Sequence, residues 1–279
     1  MTWNDAPPPD PATLGLRDWL RVVRRGGPVV TLVFGGLAIL LAVRLLERPL
    51  HGQQRPWTPH ITQFVCRNAL RLMGIRRLQR GTPTEGAAAV VANHASWLDI
   101  FALNAAKRVY FVSKSEVASW PGIGWLARAT GTVFIRRDRR EAREHAQVIE
   151  DRLRLGHKLL FFPEGTSTDG LRVLRFKTTL FAAFYTPGVP DDLRVQPVTL
   201  AYHAPDGGPA TFYGWWGDQS AGEHMLRMLA APRHGRIDVI YHAPLLVSDY
   251  ANRKDLALAA EGAVRQGLQG SGVKMVDQA

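Results

Sequence analysis

Past residue 82 the chain alternates short apolar runs with amphipathic stretches, and that rhythm restricts the folds open to it. AAAVVA (87–92), RVYFV (108–112), TVFIR (132–136), KLLFF (158–162), VQPVTLAY (195–202) and RIDVIYHA (236–243) are each the length of a buried strand. Between most of them lie stretches with helical spacing: SWLDIFALNAAK (96–107), IGWLARAT (123–130), DRREAREHAQVIEDRLRL (138–155) and KTTLFAAFYT (177–186). Parallel strands need a crossover, and a helix makes one compactly. The pattern therefore predicts an α/β domain with a largely parallel sheet flanked by helices. In such sheets functional groups gather at the carboxyl ends of strands and in the loops beyond them.

Ahead of this domain the chain changes character. Residues 1–13 (MTWNDAPPPDPAT) are polar and proline-rich, and are expected to form a disordered tail. Arginines at 17, 21, 24 and 25 then precede an uncharged apolar run from Pro28 to Val43. That run is shorter than the roughly 20 residues of a full span, so it reads as a marginal membrane helix. The alternatives are a core helix of a soluble domain and, less well supported, a signal sequence, which would need a shorter basic region and a small-residue cleavage site. Residues 57–80 interleave Ile61, Phe64, Val65, Leu70, Leu72 and Ile75 with Arg67, Arg71, Arg76, Arg77 and Arg80. Such a segment suits an anionic lipid surface, or equally the surface helix of a globular domain. Residues 14–81 are thus read as an anchor plus an interfacial helix, and 82–279 as the α/β domain.

The formal net charge of +11 favours anionic partners. One cysteine, Cys66, excludes an intramolecular disulfide and a cysteine-rich zinc site. No Walker, G-x-G-x-x-G or H-E-x-x-H arrangement occurs, nor any signature of a nucleic-acid-binding fold, so neither a metal nor a nucleic-acid partner is expected.

Chemistry concentrates where the apolar run 87–92 stops. NHASWLD (93–99) places His94 just past a strand and Ser96 and Asp99 at the start of a helix. Ser96 with Asp99 three residues on is a helix-capping pattern, which by itself accounts for Asp99. The pair allows more. A carboxylate on the first helical turn can hold the imidazole of a preceding loop, fixing its tautomer and leaving the other nitrogen as a base. No G-x-S-x-G nucleophile elbow accompanies the pair, so the nucleophile is expected to be a substrate hydroxyl. Two further clusters follow other strands. Arg136 and Arg137 end GTVFIRR, and Glu164, Gly165 and Thr166 lie in FFPEGTSTDG, ahead of Lys177. Taken singly, the arginines suit a solvated helix face and Glu164 suits an ordinary turn.

Taken in order, these blocks resemble the glycerolipid acyltransferases related to bacterial 1-acyl-glycerol-3-phosphate acyltransferase. NHASWLD resembles the family's N-H-x-S-x-x-D block, GTVFIRR its second, FPEGTS with the downstream F-K its third, and VQPVTL its fourth. The resemblance implies that His94 is the general base, oriented by Asp99. It implies that Arg136, Arg137, Glu164, Gly165, Thr166 and Lys177 bind substrate and that Pro197 shapes the site. The implied reaction moves an acyl chain from an acyl-CoA or acyl carrier protein thioester to a lysolipid hydroxyl at the cytoplasmic face of the inner membrane, without a bound cofactor or metal.

The family default is acylation of 1-acyl-glycerol-3-phosphate to phosphatidic acid. Position 167 is serine where that family commonly carries arginine, and EGTSTDG together with YGWWGDQS (213–220) look closer to lyso-ornithine lipid acyltransferases and to some lysophosphatidylcholine-type enzymes. The two acceptors stand nearly level on sequence, with lysophosphatidate taken first. A non-catalytic basic membrane-binding protein is the competing reading from another class, and a soluble hydrolase is a weaker third.

Overall fold

The computed structural model describes residues 3–9, 13–86, 88–136 and 142–276. Two helices lead, α1 (Leu16–His51) and α2 (Thr58–Met73). Then follow β1 (Arg76–Arg80), β2 (Ala88–Ala92), α3 (Leu98–Ala106), β3 (Tyr110–Lys114), α4 (Ile123–Thr130), β4 (Val133–Ile135), α5 (Ala142–Arg154) and β5 (Lys158–Phe161). The chain closes with β6 (Arg194–His203), α6 (Ala221–Ala230), β7 (Arg236–Tyr241), β8 (Leu245–Leu246) and α7 (Arg253–Gln269).

Among the described residues the strands form one sheet in the order β1-β7-β6-β2-β5-β3-β4, with β8 also on β6. The α/β architecture expected from the alternation is present: β2, β3, β4 and β5 run parallel, and β2 is parallel to β6. Among the described residues, only the pairings of β6 with β7 and β8 are antiparallel. Strand β2 is buried along its whole length, because both faces of the sheet are covered. On one face Ala89 and Val91 pack with Leu153 of α5 and Leu256, Ala260 and Val264 of α7. On the other, Val90 and Ala92 pack with Leu70 and Met73 of α2, Leu98 and Ala102 of α3 and Met228 of α6.

Pro197 sits inside central β6, where a missing N–H would ordinarily break a ladder. It is tolerated because the ladder changes partner there. Val195 pairs with Leu245 of β8 and Val198 with Tyr241 of β7, so Pro197 falls opposite the turn between them.

The N-terminal region differs from expectation in three ways. First, the basic amphipathic segment is not one helix to residue 80: α2 stops at Gly74, whose φ of 81° turns the chain, and RRLQR becomes edge strand β1 alongside β7. The sheet therefore begins before residue 82. Second, α1 runs well past the apolar run as one helix, long and apolar enough to cross a bilayer, and it also packs on α2 and α6. Near its start Arg25 donates to the carbonyls of Leu229, in the last turn of α6, and Ala231 just past it. Near its end Glu47, fully buried, accepts from the Trp57 and Thr58 amides and the Thr58 hydroxyl, supplying a carboxylate to the N-terminus of α2. Leu20, Val23, Phe34, Ile39, Leu45 and Leu46 are left pointing outward. Third, the described part of the tail expected to be disordered is packed. Trp3 is 7% exposed, Arg172 lies 4.6 Å over its ring, and the Trp216 indole donates to Ala6 O.

Candidate active site

The carboxyl end of β2 is fastened before the chemistry begins. Asn93 Nδ2 donates to Leu200 O at 2.9 Å, and Leu200 N donates to Asn93 Oδ1 at 2.8 Å, so a side chain continues the β2–β6 ladder for one more step. The next two carbonyls are held as well. Thr168 N donates to His94 O and Trp215 N to Ala95 O, tying both motif loops, EGTSTDG and YGWWGDQS, to the turn that carries His94. Gly214 permits the close approach, since a Cβ there would lie 2.6 Å from Asp169 O.

On this frame His94 Nδ1 lies 2.6 Å from Asp99 Oδ2. The same oxygen accepts the amides of Ala95 at 2.9 Å and Ser96 at 3.1 Å, and Asp99 Oδ1 accepts the Tyr202 hydroxyl. Asp99 is fully buried while the His94 side chain keeps 20% of its surface. Phe162 stacks on the imidazole at 4.1 Å and 14°, which fixes the ring plane. The expected capping pattern is present: the Ser96 hydroxyl accepts the Leu98 amide and the Asp99 carboxylate accepts the Ser96 amide, while the same carboxylate oxygen also serves Ala95 and His94. With the Nδ1 proton directed at Asp99, Nε2 is the nitrogen left to accept a proton.

Glu164 lies directly behind this pair, 1% exposed, and neither carboxyl oxygen has a hydrogen-bond partner of standard geometry. Burial foremost, with the Asp99 charge adding to it, holds its carboxyl well above the ordinary range. The nearby backbone amides of His94 and Leu174 oppose this without cancelling it. Gly165 has φ 71° and its amide donates to Phe162 O, a tight turn that glycine adopts without strain. The Thr166 hydroxyl accepts the Trp3 amide at 3.3 Å, so the N-terminal segment reaches this turn. Lys177 is exposed, with its amide on Pro163 O. Arg136 is exposed at the end of β4, three strands and so about 14 Å across the sheet from β2. Arg137 lies outside the described residues. His94, Asp99, Glu164 and the Gly165–Thr166 turn are therefore gathered at one sheet end, Arg136 stands apart on the edge strand, and Pro197 is buried within β6. Among the described residues no group of three or more His, Cys, Asp or Glu side chains could hold a metal.

A family model described as Acyltransferase matches residues 70–201, which include His94, Asp99 and the Glu164–Thr166 turn. The lyso-ornithine lipid O-acyltransferase of Rhodobacter capsulatus is 58% identical over 266 residues, covering 95% of this chain and 96% of that protein. The chain belongs to the acyltransferase family. A 1-acyl-sn-glycerol-3-phosphate acyltransferase of Neisseria gonorrhoeae is 39% identical, but over 115 residues, 41% of this acyltransferase and 44% of its relative. In fold, the acyltransferase matches the crystal structure of the 1-acyl-sn-glycerophosphate acyltransferase of Thermotoga maritima with a TM-score of 0.65, covering 94% of this chain and 99% of that one at 21% identity.

Sequence reasoning did not single out Phe162 or Tyr202. A period-2 count along β6 would have placed Tyr202 on the same face as Val198 and Leu200, a phenol closing an otherwise apolar row. Nothing in the Pro-rich N-terminus marked Trp3 as a contact of Thr166.

Proposed function

We propose that this acyltransferase moves an acyl chain from a thioester of coenzyme A or acyl carrier protein to the hydroxyl of lyso-ornithine lipid at the cytoplasmic membrane surface. The observation that carries the acceptor is the likeness to a lyso-ornithine lipid O-acyltransferase along nearly the whole chain, whereas the likeness to the Neisseria lysophosphatidate enzyme spans less than half of it. Ser167, in place of a fixed cation, agrees with an acceptor that brings no phosphate. This reverses the order in which the sequence ranked the two acceptors.

The chemistry follows from the pair. His94 Nε2 takes the proton of the acceptor hydroxyl as its oxygen attacks the thioester carbonyl carbon. The new C–O bond gives a tetrahedral oxyanion, whose collapse breaks the C–S bond. The departing thiolate takes the proton back from the imidazolium. Asp99, held by four donors, stabilises that imidazolium and orients the ring, so that no reorganisation is needed during reaction. The outward apolar side of α1, together with the basic charge of the chain, supports a membrane-surface location that brings the site to a lipid acceptor.

The test is direct. Purified protein is incubated with an acyl thioester and, in parallel, lyso-ornithine lipid or lysophosphatidate, and the products are resolved by mass. Diacylated ornithine lipid is the expected product. Acylation of lysophosphatidate alone overturns the acceptor assignment, and no transfer from folded protein in either arm returns the non-catalytic membrane-binding reading.

A further inference from the structure

Tyr202 belongs to none of the motif blocks, yet its hydroxyl donates to Asp99 Oδ1, the oxygen turned away from His94. The residue lies one position before the end of β6 and is 4% exposed, and its ring packs 5.2 Å from that of Tyr213. Tyr213 is itself fixed by the Gly235 amide, which donates to its hydroxyl at 2.8 Å. The phenol thus approaches Asp99 from a rigid strand, backed by a second anchored ring.

The two oxygens of Asp99 are held in different ways. Oδ2 takes the His94 ring N–H and two amides, all from the adjacent loop. Oδ1 takes a donor 103 residues away in sequence. With Oδ1 released inside a fully buried site, the carboxylate could turn about its Cβ–Cγ bond to find another donor, carrying Oδ2 off the imidazole. We propose that Tyr202 is a positioning residue for acyl transfer, its hydroxyl locking the Asp99 carboxylate plane so that Oδ2 stays on His94 Nδ1. The phenol is suited to the task because burial, followed by the neighbouring Asp99 charge, keeps it protonated and hence a donor. The other titratable groups facing this cluster are Glu164 behind it, Tyr213 beside it and, beyond Trp97, His224 of α6.

The inference rests on His94 acting as base, and the experiment keeps the two apart. Tyr202→Phe preserves the ring and removes one hydroxyl. We expect kcat to fall about tenfold with KM for both substrates within about twofold, the mark of an interaction that matters in the transition state. The acid limb of the kcat/KM profile should move to lower pH, because an imidazolium whose Nδ1 proton loses Oδ2 loses the negative charge that stabilises it. A phenylalanine variant with unchanged kcat and an unchanged pH profile overturns the proposal, since a ring that only fills the core would behave in that way. If that variant does not fold, 3-fluorotyrosine at position 202 keeps the size and strengthens the donor. The limb should then also move to lower pH, because a stronger donor draws charge from the carboxylate that holds the imidazolium, and an unmoved limb is the overturning result. His94→Ala in the same assay separates the two claims. Retained activity there removes the base reading itself, whereas an inactive His94→Ala beside a normal Tyr202→Phe removes only the role of Tyr202.

Discussion

Asn93 and Leu200, 107 residues apart, exchange two hydrogen bonds across the end of the sheet, and this exchange sets where His94 stands. Both residues are buried, so Asn93→Ala leaves the Leu200 N–H and C=O without partners and out of reach of water. A stranded group costs about 1–3 kcal/mol. We expect a loss of at least about 2 kcal/mol, seen as a thermal midpoint lower by several degrees. A melting curve that superimposes on wild type would show that the ladder ends at Ala92 without consequence.

His94 contributes differently. Its side chain is partly exposed and its ring rests on Phe162, so His94→Ala should fold normally. Loss of the base should lower acyl transfer by about 10²-fold or more. Turnover within a few-fold of wild type would contradict the mechanism.

How much of this was legible depended on whether local pattern or distant pairing decides a feature. NHASWLD was readable because a fully buried strand leaves a continuous apolar signature and its end is abrupt. Strand β1 was not. RRLQR has no apolar period, because an edge strand turns most of its side chains to solvent, and only the backbone ladder to β7 defines it. KTTLFAAFYT carries helical spacing but winds as a 3₁₀ segment over Thr178–Tyr185. In Trp3 composition misled: the proline-rich surroundings hid one indole that finds a place between Arg172 and Trp216. The bond from Tyr202 to Asp99 depends on two elements meeting, which no single segment announces.

Ser167 offers a test of acceptor choice. It stands one residue past Thr166, in the turn gathered with His94 and Asp99, where the related family commonly has arginine. Ser167→Arg should raise turnover of lysophosphatidate relative to lyso-ornithine lipid, because a charge-assisted contact to phosphate is worth about 1.5–3 kcal/mol, or roughly tenfold and more. Competition between the two acceptors in one vessel measures the ratio directly. A ratio equal to that of wild type would place acceptor selection elsewhere.

Two buried histidines, His157 and His224, and the half-buried His234 make stability depend on acidity in a predictable direction. Burial, followed by Arg152 and Arg55, lowers His157 to about 4. Burial and then Arg227 lower His224 to about 3. Burial and then Arg25 lower His234 to about 4. Each is neutral in the folded protein, whereas the unfolded chain takes up protons near the ordinary value of about 6.5. Below that value the unfolded state binds more protons, so the stability these groups supply is complete above about pH 6.5 and is lost as pH falls towards 4. Glu164 acts on the opposite side. Its raised carboxyl favours the folded state at low pH, and that contribution is lost as pH rises from the ordinary carboxyl range through its folded value. Melting midpoints measured from pH 4 to 8 should therefore form a dome. His157→Gln keeps an acceptor for the Arg152 Nε–H, which now donates to His157 Nδ1 at 2.7 Å, but cannot titrate, so it should shallow the acid side alone. Glu164→Gln should shallow the alkaline side alone. Curves that stay parallel to wild type in both variants would show that these groups titrate alike in the folded and unfolded chain.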